Sequence, residues 1–145
     1  MNKEMRVLLA DDQAKVRSAL WLLLEQEPGL RVVGEAVEAE ELLTRTEMVH
    51  PDLVLLDWEL PDLRAGDPST APGLGSRRGG GEDLLSSLRA LHPHLRVIAL
   101  SSQPEARQSA LVAGVDAFVS KGDPPEQLLA VISGCLCKQR SANEE

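Results

Sequence analysis

Short apolar runs alternate along this chain with segments whose apolar residues recur at helical spacing. Arg6-Val-Leu-Leu-Ala10 reads as a buried strand running into Asp11-Asp12. Val16, Leu20, Leu23 and Leu24 then share one helix face, and Pro28-Gly29 stops that helix. Leu30-Arg-Val-Val-Gly34 is a second strand, and Ala39 to Val49 is a helix closed by His50-Pro51. Asp52-Leu-Val-Leu-Leu-Asp57 is a third strand, apolar on both faces. A strand of that kind needs cover on both sides, which points to a parallel sheet.

The second half repeats the rhythm. Glu82 to His92 reads as a helix with Leu84, Leu88 and Leu91 on one face, and Arg96-Val-Ile-Ala-Leu100 as a fourth strand leading to Ser101. Pro104 to Ala113 is a short helix stopped by Gly114. Ala117-Phe-Val119 is a fifth strand, followed by Ser120 and Lys121. Asp123-Pro-Pro-Glu126 resembles a capping box with proline at the helix start, and Leu128, Val131, Ile132 and Cys135 mark the inner face of the last helix.

The expected fold is α/β, a doubly wound (βα)5 domain of the flavodoxin-like kind with a parallel five-stranded sheet in the order 2-1-3-4-5. One domain fills residues 1–145, with a core of about 5–138. Residues 64–81 interrupt the alternation. They hold six of the eleven glycines, with Pro68 and Pro72, and read as a flexible insertion. A docking loop presenting Arg77-Arg78 to an acidic partner is the alternative for this segment.

Composition narrows the function. The net charge is −8 and the pI near 4.9, so the surface repels nucleic-acid phosphates and anionic membranes, and no direct DNA binding is expected. No apolar run approaches the ~20 residues that span a bilayer, and a cytoplasmic location is the expectation. Cys135 and Cys137, the only cysteines, are too few for a zinc site and read as reduced side chains.

The candidate chemistry lies at the carboxyl ends of strands. Asp11 and Asp12 follow the first, Asp57 ends the third, Ser101 follows the fourth and Lys121 the fifth. In the 2-1-3-4-5 order these strands are neighbours, so three carboxylates, one hydroxyl and one ammonium converge. Clustered carboxylates repel one another unless a cation sits among them, and a hard oxygen site suits Mg²⁺. Mg²⁺ and Lys121 would clamp a phosphoryl group, with Asp57 as the nucleophile. Taken singly, such residues often serve as caps: Asp12 could cap the first helix, and Ser101 or Ser102 the fourth.

The chain resembles the receiver domains of bacterial two-component response regulators. Its style is that of the NarL/FixJ-type receivers that usually precede a helix-turn-helix domain. The likeness rests on Val7-Leu-Leu-Ala-Asp-Asp12, Val33-Gly-Glu-Ala36, Pro51-Asp-Leu-Val-Leu-Leu-Asp57 with Leu60-Pro61, Val97-Ile-Ala-Leu-Ser101 and Gly114-Val-Asp-Ala-Phe-Val-Ser-Lys121. The resemblance implies that Asp57 is the phosphoacceptor and that Asp11, Asp12, Asp57 and the Glu59 backbone carbonyl hold Mg²⁺. It also implies that Ser101 and Lys121 bind phosphoryl oxygens, and that Phe118 is a switch aromatic. The implied phosphodonor is a sensor histidine kinase or a histidine phosphotransfer protein. The output is a change in the face formed by the fourth helix, fifth strand and fifth helix, read by a downstream protein target. That face could also support a homodimer.

Gly122 stands where many relatives have proline after the lysine, so no cis bond is expected there. With no output domain following Lys138, the expectation is a stand-alone signalling switch that catalyses only its own phosphorylation and dephosphorylation. Two other readings are an interaction module that is not phosphorylated and a small Mg²⁺-dependent phosphatase. The acidic set with Lys121 disfavours the first. The second lacks a second general acid and a pocket-lining aromatic.

Overall fold

The computed structural model describes residues 4–60 and 80–143, and the side chains within them except at 80–82 and 135–143. Five strands alternate with five helices: β1 Met5–Ala10, α1 Ala14–Glu25, β2 Leu30–Ala36, α2 Ala39–Val49, β3 Leu53–Asp57, α3 Gly80–Leu91, β4 Arg96–Ser101, α4 Arg107–Ala113, β5 Ala117–Ser120 and α5 Pro125–Asn143. A 3-10 turn, Pro104–Ala106, leads into α4.

All five strands are parallel, in the order β2-β1-β3-β4-β5. The period-two alternation of strand side chains divides the core into two halves. Leu8, Ala10, Val54, Leu56, Val97, Ala99 and Phe118 face one way and pack against Leu42 of α2, Leu84, Leu85 and Leu88 of α3 and Ala110 of α4. Val7, Leu9, Leu53, Leu55, Ile98, Leu100 and Val119 face the other and pack against Leu24 of α1 and Leu128 and Ile132 of α5. Nearly the whole core is aliphatic. Each fully buried leucine contributes about 1.5–3 kcal/mol relative to an exposed one, so stability comes from many similar parts.

Helix ends follow the stop signals in the sequence. His50 closes α2 in the left-handed conformation at φ 50°, and Gly114 closes α4 at φ 117°. The starts differ from expectation. Gln13 precedes α1 and Gln103 precedes the 3-10 turn, neither with a side-chain cap, so Asp12, Ser101 and Ser102 do not cap these helices. Asp123 does not close a capping box; its carboxylate accepts the Ser120 N–H at 3.3 Å. The insertion expected over 64–81 lies outside the described residues as far as 79, and Gly80 and Gly81 already belong to α3. The side chains of Cys135 and Cys137 also lie outside the described set.

No cis peptide occurs among the described residues. None of the described helices is long and apolar enough to cross a membrane.

At the end opposite the strand tips, Asp116 forms a knot. Its carboxylate accepts from Arg89 at 2.9 Å and from the Val97 N–H at 2.8 Å, and it lies 3.6 Å from Arg96. The Asp116 N–H donates to the Val97 carbonyl at 2.8 Å. This ties α3, the start of β4 and the entry to β5 together.

Candidate functional site

The sheet order reverses direction between β1 and β3, which opens a crevice at their carboxyl ends. Backbone bonds extend the sheet past the strand ends and fix the residues there. Asp11 N–H donates to the Ala36 carbonyl at 3.0 Å, Trp58 N–H to the Leu100 carbonyl at 2.8 Å and Lys121 N–H to the Ser101 carbonyl at 2.8 Å. The positions of Asp11, Asp57, Ser101 and Lys121 are therefore set by backbone pairing before any side chain interacts.

Asp11, Asp12 and Asp57 each bring a carboxylate oxygen within 4.8 Å of the others. Asp11 and Asp57 are buried and Asp12 is exposed. Lys121 Nζ lies between the two buried acids, donating to Asp57 Oδ1 at 3.1 Å and standing 3.2 Å from Asp11 Oδ2. Asp57 Oδ1 also accepts the Glu59 N–H at 2.9 Å, which leaves Oδ2 without a hydrogen bond among the described residues. Asp11 Oδ1 accepts the Gln13 N–H at 2.8 Å. Asp11 Oδ2 is buried without a hydrogen-bond donor, because Lys121 meets it as an opposite charge but in poor alignment.

The electrostatics follow from this packing. Burial pushes the Asp57 carboxyl above its ordinary range, and the Asp11 charge adds to the effect. The Glu59 N–H and Lys121 work against it. Burial alone would lower Lys121, but the hydrogen bond and charge of Asp57, together with Asp11, outweigh it and raise its pKa.

One ammonium facing three carboxylates leaves an excess of negative charge, and an orphaned buried carboxylate oxygen points into it. An oxygen-only donor set of this kind fits a hard divalent cation such as Mg²⁺. Asp11, Asp12 and Asp57 would hold it.

Ser101 is fully buried at the end of β4. Its hydroxyl donates to Glu59 Oε2 at 2.9 Å, and it accepts the Gln103 N–H at 2.9 Å. Glu59 also accepts the Ser102 N–H at 3.2 Å and the Ser102 hydroxyl at 2.9 Å. Burial would raise Glu59, yet the bonds from Ser101 and Ser102 prevail and hold it below its usual range. The sequence marked Glu59 for its backbone carbonyl and as a variable position beside the site; its side chain bridges to Ser101 and Ser102. Phe118 sits in the core beside Ala99, with the Arg107 guanidinium 6.0 Å from its ring centre.

Arg17 is a neighbour of the site that no sequence pattern marks. It donates to the Asp11 carbonyl at 2.8 Å and pairs with Glu35. Nothing local marks it, because both partners are set by the packing of α1 against β1 and β2.

A five-stranded parallel sheet with this order and acid-lined crevice defines a doubly wound domain of the flavodoxin-like class. Residues 7–70 match the family model of the response regulator receiver domain. The nitrate/nitrite response regulator protein NarL of Escherichia coli K12 is 30% identical over 128 residues, 87% of this chain and 52% of that protein. The DNA-binding transcriptional activator DevR/DosR of Mycobacterium tuberculosis is 35% identical over 118 residues, 80% of this chain and 47% of that protein. Among solved structures, a CheY-like receiver domain protein from Methanospirillum hungatei JF-1 superposes with a TM-score of 0.74 at 27% identity, covering 97% of this chain and 99% of that one. Residues 7–70 thus carry the receiver domain of response regulators, and the chain is similar over most of its length to NarL- and DevR-type response regulators. It spans about half the length of the curated relatives it matches.

Proposed function

We propose that this domain is a phosphorylation-dependent switch in which Asp57 accepts a phosphoryl group from a histidine kinase or a histidine phosphotransfer protein. The observation that carries the reading is Lys121 held between Asp57 and Asp11, in a cluster of three carboxylates within 4.8 Å. An Asp57 oxygen attacks phosphorus as the bond to the donor imidazole breaks, forming an acyl phosphate and returning the electron pair to the histidine nitrogen. Lys121 balances charge on the phosphoryl oxygens, and the Ser101 hydroxyl donates to one of them. Asp11, Asp12, Asp57 and the Glu59 carbonyl would hold Mg²⁺, which when bound neutralises developing negative charge.

The output passes through α4, β5 and α5 to a protein target or a second copy. Leu111 and Val112 of α4 are 41% and 73% exposed, which suits an apolar contact there. Phe118, in β5 and under Arg107, links this face to the crevice. The domain turns over no external substrate, binds no DNA itself and acts in the cytoplasm.

The test is to add acetyl phosphate or beryllofluoride with and without Mg²⁺ and to follow the fluorescence of Trp58, adjacent to Asp57. A Mg²⁺-dependent response lost in Asp57→Asn is the expected result. Silence in every condition would leave an interaction module, and turnover of unrelated phosphate esters would make the protein a hydrolase.

A further inference from the structure

We propose that the Glu59 side chain is a latch on the junction between β4 and α4, competing with the phosphorylated aspartate for the Ser101 hydroxyl. The proposal rests on the reading of Asp57 as phosphoacceptor and deepens it.

Glu59 comes from the segment after β3, and Ser101 and Ser102 from the end of β4, so the contact bridges 42 and 43 positions of sequence. The carboxylate accepts the Ser101 hydroxyl at 2.9 Å, the Ser102 hydroxyl at 2.9 Å and the Ser102 N–H at 3.2 Å. An ionised carboxylate is only an acceptor. It can hold these three donors, but it has no proton to offer a phosphoryl oxygen. A serine hydroxyl carries one hydrogen. While Ser101 gives it to Glu59, none remains for an oxygen on Asp57.

The two serines have different parts. Ser101 is fully buried and ends a central strand, so its hydroxyl can turn only between partners already around it. Ser102 is exposed and faces Glu59 with both its hydroxyl and its amide. It anchors the carboxylate where Ser101 meets it. Releasing Ser101 toward Asp57 therefore opens one strand of a three-bond clasp, and Ser102 keeps Glu59 in place for relatching once the phosphoryl group is gone.

Ser102→Ala in the full chain is the discriminating variant, because it loosens the clasp without changing any charge. A gain in anion affinity then cannot come from removing the Glu59 charge. Ser102 is exposed, so the fold survives the change. The half-saturating beryllofluoride concentration, read by Trp58 fluorescence with Mg²⁺ present, should fall about two- to five-fold, as expected for one partly exposed charge-assisted bond. The same change in a Glu59→Ala background should have no effect. A half-saturation unchanged or raised in Ser102→Ala, or an undiminished effect in Glu59→Ala, overturns the latch.

A second readout needs no phosphoryl mimic. Amide hydrogen exchange at Ser102, whose N–H rests on Glu59, should speed up about five- to ten-fold in Glu59→Ala. Unchanged exchange sinks the latch alone. A wild-type protein blind to beryllofluoride sinks the phosphoacceptor reading, and the competition with it.

Discussion

Lys121 Nζ stands 3.1 Å from Asp57 Oδ1 and 3.2 Å from Asp11 Oδ2, so a single ammonium serves two carboxylates that are each 3% exposed. Removing it leaves both acids buried and facing each other. Fully buried pairs cost about 3–5 kcal/mol to break; with Lys121 itself 20% exposed, Lys121→Met should cost about 1–3 kcal/mol in metal-free buffer. Added Mg²⁺ should recover part of the loss and raise the melting temperature more than in wild type. Thermal unfolding with EDTA and then with Mg²⁺ checks both. Equal stability of the two proteins in EDTA would contradict the shared-ammonium geometry.

Asp57 sets a pH dependence. Burial, then the Asp11 charge, lift its folded pKa above the ordinary 3.8. An acid raised on folding binds its proton more readily in the native state, so the native state loses stability as pH climbs from the unfolded toward the folded value. Above that window the penalty is complete, and below it the penalty vanishes. In EDTA, the unfolding free energy of wild type minus that of Asp57→Asn should therefore fall as pH rises from about 4 toward neutrality, by at most about 1.4 kcal/mol per pH unit. Urea titrations across that range measure it. A rising difference curve would show that Lys121 and the Glu59 N–H, rather than burial, govern Asp57.

Asp12 offers a test of the cation site with little cost to folding. It is exposed, yet contributes one of the three clustered carboxylates. Asp12→Asn should weaken Mg²⁺ binding about tenfold or more while changing stability by less than about 0.5 kcal/mol. A Mg²⁺ titration followed by Trp58 fluorescence gives the affinity, and chemical denaturation without metal gives the stability. Undiminished affinity would remove Asp12 from the ligand set.

Asp116 is expected to matter for stability alone. Asp116→Ala deletes contacts to Arg89, Arg96 and the Val97 N–H together. With all three side chains partly solvated, the loss should be about 2 kcal/mol, read as a lower urea midpoint with unchanged slope. Beryllofluoride affinity should stay at the wild-type level.

The architecture was legible because hydrophobic period and punctuation agree in this chain. Val7-Leu-Leu and Leu53-Val-Leu-Leu can be buried on both faces only in a covered parallel sheet, and Gly114 and His50 stop helices where the chain turns left-handed. Placing Asp11, Asp57, Ser101 and Lys121 at strand ends then brought them together by topology. Interactions across the fold were not legible. Glu59 meets Ser101 and Ser102 across more than forty residues, and Arg17 reaches an Asp11 carbonyl rather than a side chain. No local pattern encodes either contact. Helix starts misled for a related reason. Asp12, Ser101 and Asp123 are residue types that favour caps, but tertiary or turn partners take their oxygens, or other residues hold the cap positions.

The knot at Asp116 also decides where movement is allowed. It clamps the amino end of β4 through both the N–H and the carbonyl of Val97 and anchors α3 through Arg89, like the fixed end of a cantilever. The far tip of the same strand is held at its side by the Glu59 oxygens on Ser101 and Ser102. On the reading proposed above, the Ser101 and Ser102 side chains are the part of β4 that can change partners, while Asp116 keeps the other end of the strand tied to its neighbours.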